Sequence, residues 1–460
     1  MVLPRRPVLR RRGGDRGERG GALFRPGLSE EGLATKRRLL LRREISSRLP
    51  GNRNLRLLLA GRGLRSLAQG YLSVVVPLYF ARLGYGATSI GLVFAASAAA
   101  SAILTAAVGL LADRFGRKAL LVAISLLMAA GGFVFALSSS YVVLLVAAAV
   151  GTFGRGGGAG SGGSFGPYYP AEQPLVAASV RDEERTGTFG LLSSVGVLCG
   201  AAGSLLTLMP GALARAGLST LDGYRILFLL TAVIGCAMAL VVLPIREERP
   251  KPSRKKGGST VRLSPEGRRL IARFMTTNAV NGLAVGMLGS FVAYWMHRRY
   301  GVGAGEIGSL FFAINLVAAI PYLFAGRLSR RLGAVRAVVA TRTCSVVLLA
   351  ATALMPTFAL AGALYLLRMV ANTLSIPVRQ SYLMGVMPPG ERSRAAGLGN
   401  LPSRIASSAS PTLAGYLMQS VSLDMPLELA AALQAINTAL YYLFFRNLHP
   451  PEEHPPRRGG

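Results

Sequence analysis

Acidic residues are scarce in this 460-residue chain: 20 Asp and Glu stand against 52 Lys and Arg, a formal net charge of +32. Cysteine is scarcer still. The three present, Cys199, Cys236 and Cys344, are an odd set without metal-ligand spacing, and each falls inside an apolar block. That pattern excludes a disulfide framework and a zinc site and marks them as small apolar residues expected to be buried. The apolar blocks also lack a nucleophile, a metal cluster or an acid/base pair at depth, so the chain reads as no enzyme, with no catalytic residue, metal or cofactor. The first 50 residues are Arg-rich and hold no apolar core of the length a cleavable signal needs. The first apolar block is therefore expected to anchor itself.

What the chain does have is apolar mass, with 51% hydrophobic residues and a mean hydropathy of +0.44. A basic soluble protein would suggest nucleic acid, but here the apolar residues come in blocks of about 20, the length that crosses a hydrocarbon core of about 30 Å. Six blocks run Leu55–Phe80, Ile90–Ala112, Ala119–Leu137, Tyr141–Phe165, Gly187–Met209 and Tyr224–Leu243. Six more run Leu270–Met296, Ile307–Phe324, Ala334–Leu354, Thr357–Pro377, Ala395–Gln419 and Leu427–Phe445. The expected organisation is a basic tail over 1–54, six helices over 55–245, a linker over 246–269, six helices over 270–446 and a second tail over 447–460.

Lys and Arg crowd both tails and the breaks after spans two, four, six, eight and ten, whereas the alternate breaks hold only Arg82, Arg215, Arg225, Arg298 and Arg299. Both termini are thus expected in the cytoplasm of a multi-pass plasma (inner) membrane protein. Most of the charge is orientation rather than nucleic-acid binding, and the lipid bilayer is the first partner. Leucines alternate with basic clusters over Leu28–Arg48, as in "KRRLLLRRE". This stretch reads as a featureless tail, with an amphipathic helix on anionic headgroups as the alternative.

The chain repeats itself. Gly84, Gly91, Gly109 and Gly116 recur 217 residues later as Gly301, Gly308, Gly326 and Gly333. "PAEQ" at Pro170–Gln173 precedes Glu184-Arg185 as "PVRQ" at Pro377–Gln380 precedes Glu391-Arg392, with an offset of 207. The lost residues fall mostly in "GRGGGAGSGGSFGP", Gly154–Pro167, which only the first half carries. A G-x-G-x-x-G match there has no preceding strand and no phosphate-loop lysine, so it is read as helix packing and bending. Duplication around a central linker suits a carrier that alternates access about a midplane site.

Between spans two and three stands "GLLADRFGRK", Gly109–Lys118. It resembles the loop signature of the major facilitator superfamily, G-x-x-x-D-R-x-G-R-[RK], at Gly109, Asp113, Arg114, Gly116, Arg117 and Lys118. A weaker copy, "GRLSRRLG" at Gly326–Gly333, has Arg330 in place of the Asp. The resemblance covers about Leu55–Phe445. It implies an all-α membrane fold of 12 transmembrane helices in two pseudo-symmetric six-helix bundles around a central cavity. It further implies that Asp113 latches to the start of span eleven near Ser393 and Arg394, where the helix dipole favours a carboxylate. Glu172 is expected near the cytoplasmic end of span four, pairing with Arg114 or Arg117 and so belonging to this latch. Gly109 is expected to let helices approach closely.

Charge at membrane depth is costly, so Arg62, Arg65, Arg155, Arg368 and Arg404 need a purpose. With no Asp or Glu read at their depth, they point to an anionic substrate in a cationic cavity, with Gln69, Asn278, Asn281 and Asn315 as polar neighbours. Arg342, on a span the family places at the periphery, reads as structural. Tyr294, Trp295 and His297 read as an interfacial anchor. Gly196, Gly200 and Gly203 resemble the glycine spacing of the antiporter motif of proton-coupled drug exporters, without its proline. The chain is thus read as a permease moving a small solute, here an organic anion, by alternating access. Export is preferred, protons are the candidate coupling ion, and the expected state is a monomer. The alternative is a transporter-like receptor or interaction protein that binds a ligand without moving it.

Overall fold

The computed structural model describes residues 53–151, 166–180, 184–247, 264–318, 328–329, 331–386 and 392–448. The basic tail, most of the linker, the Gly-rich run and Arg155 lie outside that set, as do Gly326, Arg330 and the side chains of Asp113, Ser393 and Arg394.

The described elements are helical. In chain order they are α1 (Arg53–Arg82), α2 (Ala87–Phe115), α3 (Arg117–Leu137), α4 (Tyr141–Gly151), α5 (Tyr168–Ala178), α6 (Arg185–Leu205), α7 (Met209–Arg215) and α8 (Thr220–Val242), then α9 (Pro265–Tyr300), α10 (Ala304–Ala318), α11 (Ala334–Leu354), α12 (Phe358–Val386), α13 (Arg392–Ser420) and α14 (Met425–Phe445). A 3-10 turn, Leu206–Leu208, joins α6 to α7. Prolines stand inside several, such as Pro77 in α1 and Pro402 and Pro411 in α13. Neighbouring helices make such interruptions tolerable in a membrane bundle.

Among the described residues, six helices are long and apolar enough to cross a bilayer, and a pair bent by 45°, Gly267–Gly289 with Phe291–Tyr300, makes a seventh. The twelve spans expected from sequence exceed this number for identifiable reasons. The described parts of α4 and α10 are short, α1 carries Arg53, Arg56, Arg62 and Arg65 in its first half, α13 is rich in serine and arginine, and α14 carries Glu428, Gln434 and Asn437. The outward faces are apolar all the same, with Ile103, Val142, Leu240, Val347 and Ile405 exposed, as lipid contact requires. Cys236 and Cys344 are also exposed and Cys199 is half-buried, which corrects the expectation of three buried cysteines.

Helices α1–α8 pack on one another chiefly through α3 with α8 and α1 with α6; α9–α14 do so through α9 with α13 and α11 with α12. The two sets meet where the start of α2 faces the end of α13 and the end of α6 faces the start of α10. Backbone touches backbone there. A Cβ added at Gly91 would lie 2.5 Å from the Pro411 carbonyl oxygen, and one at Gly415 would lie 2.3 Å from that of Ala87. On the other side, a Cβ at Gly308 would lie 2.4 Å from the Ser204 carbonyl oxygen. The Thr88 amide donates to Gln419 Oε1 at 3.0 Å, and Phe94 meets Phe291 edge-on at 5.9 Å. All these contacts lie at the end of the bundle where α9 passes into α10, so that end is shut.

The opposite end is organised by helix caps. Gly116 has φ +86°, a left-handed turn that favours glycine, and it places the first amides of α3 against Glu247. Arg117 N donates to Glu247 Oε1 at 2.8 Å and Lys118 N to Oε2 at 3.0 Å. Both orphan amides and the positive end of the helix dipole are thereby satisfied by one carboxylate. Ser264 caps α9 in the same sense, accepting from the Gly267 amide at 3.0 Å. Replacing Glu247 with Ala removes a cap, which typically costs about 1 kcal/mol. The expected outcome is a lower thermal midpoint in detergent than wild type, with Glu247→Asp closer to wild type than Glu247→Ala.

Candidate functional site

Helix α1 places Arg62 and Arg65 three residues apart, on one face. Across from them α5 supplies Tyr168, Tyr169 and Glu172. Arg62 Nε donates to Glu172 Oε1 at 3.1 Å and its Nη2 donates to Oε2, a two-point ion pair in which both side chains are buried. Arg62 also lies over the Tyr169 ring at 5.7 Å, and Arg65 lies over Tyr168 at 5.1 Å. Glu172 therefore pairs with Arg62, not with Arg114 or Arg117, and it leaves the loop cluster to which the sequence assigned it. The reading that no carboxylate lies at arginine depth is corrected by the same contact. The described part of this cluster thus brings two guanidiniums and one carboxylate together.

The second set of helices solves the problem differently. Arg342 of α11 is buried and donates from Nη1 to Asn437 Oδ1 of α14 and from Nη2 to Asn281 Oδ1 of α9 at 3.0 Å. Asn437 in turn donates to the Thr277 carbonyl, which fixes its amide the right way round. Arg342 thus points into the bundle, and its partners orient it without neutralising it. Arg368 of α12 is buried too, lying over the Tyr365 ring at 5.2 Å with Nη1 donating to Met369 Sδ at 3.4 Å. Arg379, further along α12, is half-buried. Arg342 lies within electrostatic reach of both Arg379 and Arg368, and the Tyr441 hydroxyl within that of Arg379 and Arg342.

The other expected site residues scatter. Gln69 is half-buried on α1. Asn278 is buried and donates to the Gly399 carbonyl at 2.8 Å, which ties α9 to α13. Asn315 donates to the Phe311 carbonyl one turn back on its own helix. Arg404 is exposed on α13. In the loop, Gly109 has open space where a Cβ would be, so it makes no close helix approach. Arg114 is exposed and lies over Phe115, while Arg117 and Lys118 serve through their backbone amides. Trp295 is fully buried, donating to Asp424 Oδ1 at 2.7 Å, and Arg299 pairs with the same carboxylate. That clamp between α9 and the start of α14 replaces the expected interfacial anchor.

Sequence reading missed Glu247, Tyr168, Arg379 and Tyr441. The duplication held a signal for one of them. In the repeat, "PVRQ" sets Arg379 where "PAEQ" has Glu172, so the two halves carry opposite charges at one equivalent position. No group of three or more metal-ligating side chains occurs among the described residues.

An all-helical bundle with apolar outer faces, buried cations inside and one end shut by backbone contact belongs to the multi-pass membrane transport proteins. The chain belongs to the Major Facilitator Superfamily, whose profile matches residues 58–277 and again 274–460. Among proteins similar in sequence are an uncharacterized membrane protein of Saccharomyces cerevisiae, 23% identical over 80% of this chain and 88% of its own length, and the Multidrug resistance protein MdtG of Citrobacter koseri, 27% identical over 72% of this chain and 80% of its own. Among solved structures, the nucleoside transporter NupG superposes with a TM-score of 0.67 at 13% identity, covering 86% of this chain and 99% of that one. A bacterial homologue of the iron transporter ferroportin in its inward-facing state gives 0.67 at 16%, covering 85% and 98%. These structural likenesses are of fold. The chain is a secondary-active small-molecule transporter, not an enzyme.

The Arg62 and Glu172 pair generates a test by double substitution. Removing one partner of a buried pair strands the other charge and typically costs about 3–5 kcal/mol. Arg62→Gln alone is expected to lower the unfolding midpoint sharply, and adding Glu172→Gln to recover much of the loss. Additive losses in the double variant would show that the two side chains do not act as a pair.

Proposed function

We propose that this chain is a carrier of twelve spans in two six-helix bundles that exports small organic anions across the plasma membrane. Both termini are cytoplasmic, and the carrier works as a monomer by alternating access. One observation carries the reading: among the described residues the buried charged side chains are Arg62, Arg65, Arg342 and Arg368 against Glu172 alone. A cationic interior of this kind, costly in a membrane, is relieved by an anionic cargo. The cavity set is Arg62, Arg65, Gln69, Asn278, Asn281 and Arg368, with Arg155 and Arg404.

Orientation rests on charge. Arg114, Arg117, Lys118, Arg246, Arg268, Arg269, Arg336 and Arg446 gather at the end opposite the seam, whereas Asp222 and Asp424 stand with Arg225 and Arg299 at the shut end. With the basic end in the cytoplasm, the backbone seam closes the outer side and the conformer faces inward. The loop Gly109–Lys118 is the proposed latch, closed through Asp113 when the carrier opens outward. Export is favoured by the name that several similar sequences bear, Multidrug resistance protein MdtG. Protons are the proposed coupling ion, with Glu172, the buried carboxylate, as the group that carries them.

The deciding measurement is flux of labelled anions, cations and neutral drugs in proteoliposomes at several imposed pH gradients, for wild type, Arg155→Gln and Arg368→Gln. Saturable anion flux is expected, falling by about tenfold or more in each variant, the equivalent of about 1.4 kcal/mol. Cation or drug flux that is indifferent to both substitutions would overturn the anion reading. In Glu172→Gln, loss of the response to the pH gradient with exchange retained is the expected sign of proton coupling; an unchanged response removes Glu172 from that role.

A further inference from the structure

The duplication and the side-chain geometry together single out the second set of helices. In the first set Glu172 closes the charge balance of Arg62. Its counterpart in the repeat is Arg379, so the position that supplies a carboxylate in one half supplies a third guanidinium in the other. Arg379 and Arg368 stand 11 residues apart on α12, about three turns and so on one helical face, about 16 Å apart along the axis. Arg342, on the antiparallel neighbour α11, is the electrostatic neighbour of both. The three form a ladder that begins at half-buried Arg379 and ends at buried Arg368.

The ladder is short of acceptors. Among the described residues, Nε of Arg342, Nε of Arg368, the hydroxyl of Tyr441 and the hydroxyl of Ser345, one turn along α11 from Arg342, are buried without a hydrogen-bond partner. The amide oxygens of Asn281 and Asn437 are already taken by Arg342. Among the described residues, the groups whose charges act most strongly on Arg342, Arg379 and Tyr441 include no Asp or Glu. Native interiors rarely leave buried donors unmet, and here every unmet group is able to donate. What such a site lacks is a ligand made of acceptors with more than one negative charge.

We infer that Arg342, Arg368 and Arg379, with Tyr441 and Ser345, form a binding site for a small organic dianion, a dicarboxylate or phosphate-type group, within the α9, α11, α12 and α14 quarter of the bundle. The inference rests on the anion reading above and deepens it by naming where the charged group is received. Arg379, at the half-buried end, is the first cation the ligand meets. Arg342, held at a fixed angle by two asparagines, is the orienting cation. A monoanion leaves the ladder with two uncompensated charges, whereas a dianion leaves one.

The test is direct binding to the full chain in lipid-free detergent, by isothermal calorimetry and by thermal shift, with succinate and inorganic phosphate as dianion probes and propionate as the monoanion of similar size. Wild type is expected to bind succinate or phosphate at least about tenfold more tightly than propionate. Arg379→Gln and Arg342→Gln are expected to lose that preference and about tenfold or more in affinity, while Arg379→Lys retains most of both. Arg379→Gln is the decisive variant, because the half-buried side chain leaves without stranding a hydrogen-bond partner. If wild type binds the dianions and Arg379→Gln binds them equally well, this site is wrong; loss of binding in the stability-compensated Arg62→Gln, Glu172→Gln double variant would then rest the anion reading on the first cluster. If wild type binds none of the three probes, both fall.

Discussion

Keeping a guanidinium charged where water is absent is the constraint to which the interior of this protein answers. Arginine does not shed its proton to escape burial, so each buried arginine must find a counter-charge, a set of acceptors or an aromatic face. All three solutions occur. Arg62 takes a carboxylate, Arg342 takes two amide oxygens, and Arg65 and Arg368 lie over tyrosine rings. Among the described residues Arg62 meets a carboxylate, whereas Arg342 and Arg368 meet none. That difference, rather than the number of arginines, distinguishes the two sets of helices.

Much of the fold was legible because membrane burial writes itself in long apolar runs and in the side on which lysine and arginine collect. The positions of α3, α8 and α11 follow the apolar blocks almost residue for residue. The site was less legible, since pairing across helices has no local signature. Glu172 lies 110 residues from Arg62 in sequence, and only the fold brings α5 against α1. Arg342 was read by the rank of its helix, yet one helical face points outward while the other points into the bundle, and spacing alone does not say which face an isolated arginine takes. Trp295 was misread for a similar reason. An aromatic near a span end suits lipid headgroups, but Asp424 offers the indole a partner inside the bundle. Arg379 was the exception, visible in the repeat once charges were compared as well as glycines.

The shut end shows how small residues set the geometry of a moving interface. Gly91 meets the Pro411 carbonyl and Gly415 meets that of Ala87 at distances no side chain would allow. A seam made of backbone has little side-chain entropy to lose on closing and no rotamers to rearrange on opening. Its energy is mostly packing and a few hydrogen bonds, such as Thr88 to Gln419, so it is weak enough to be exchanged for contacts at the other end during a cycle.

The caps at the basic end bear on how the two sets are joined. Glu247 is bound to the first amides of α3 and Ser264 to the first turn of α9, so the sixteen residues 248–263 are strung between two fastened points. Sixteen residues reach at most about 55 Å, more than the full thickness of a bilayer. The tightest constraint between the two sets of helices is therefore not the length of chain that joins them but the glycine seams, where backbone meets backbone.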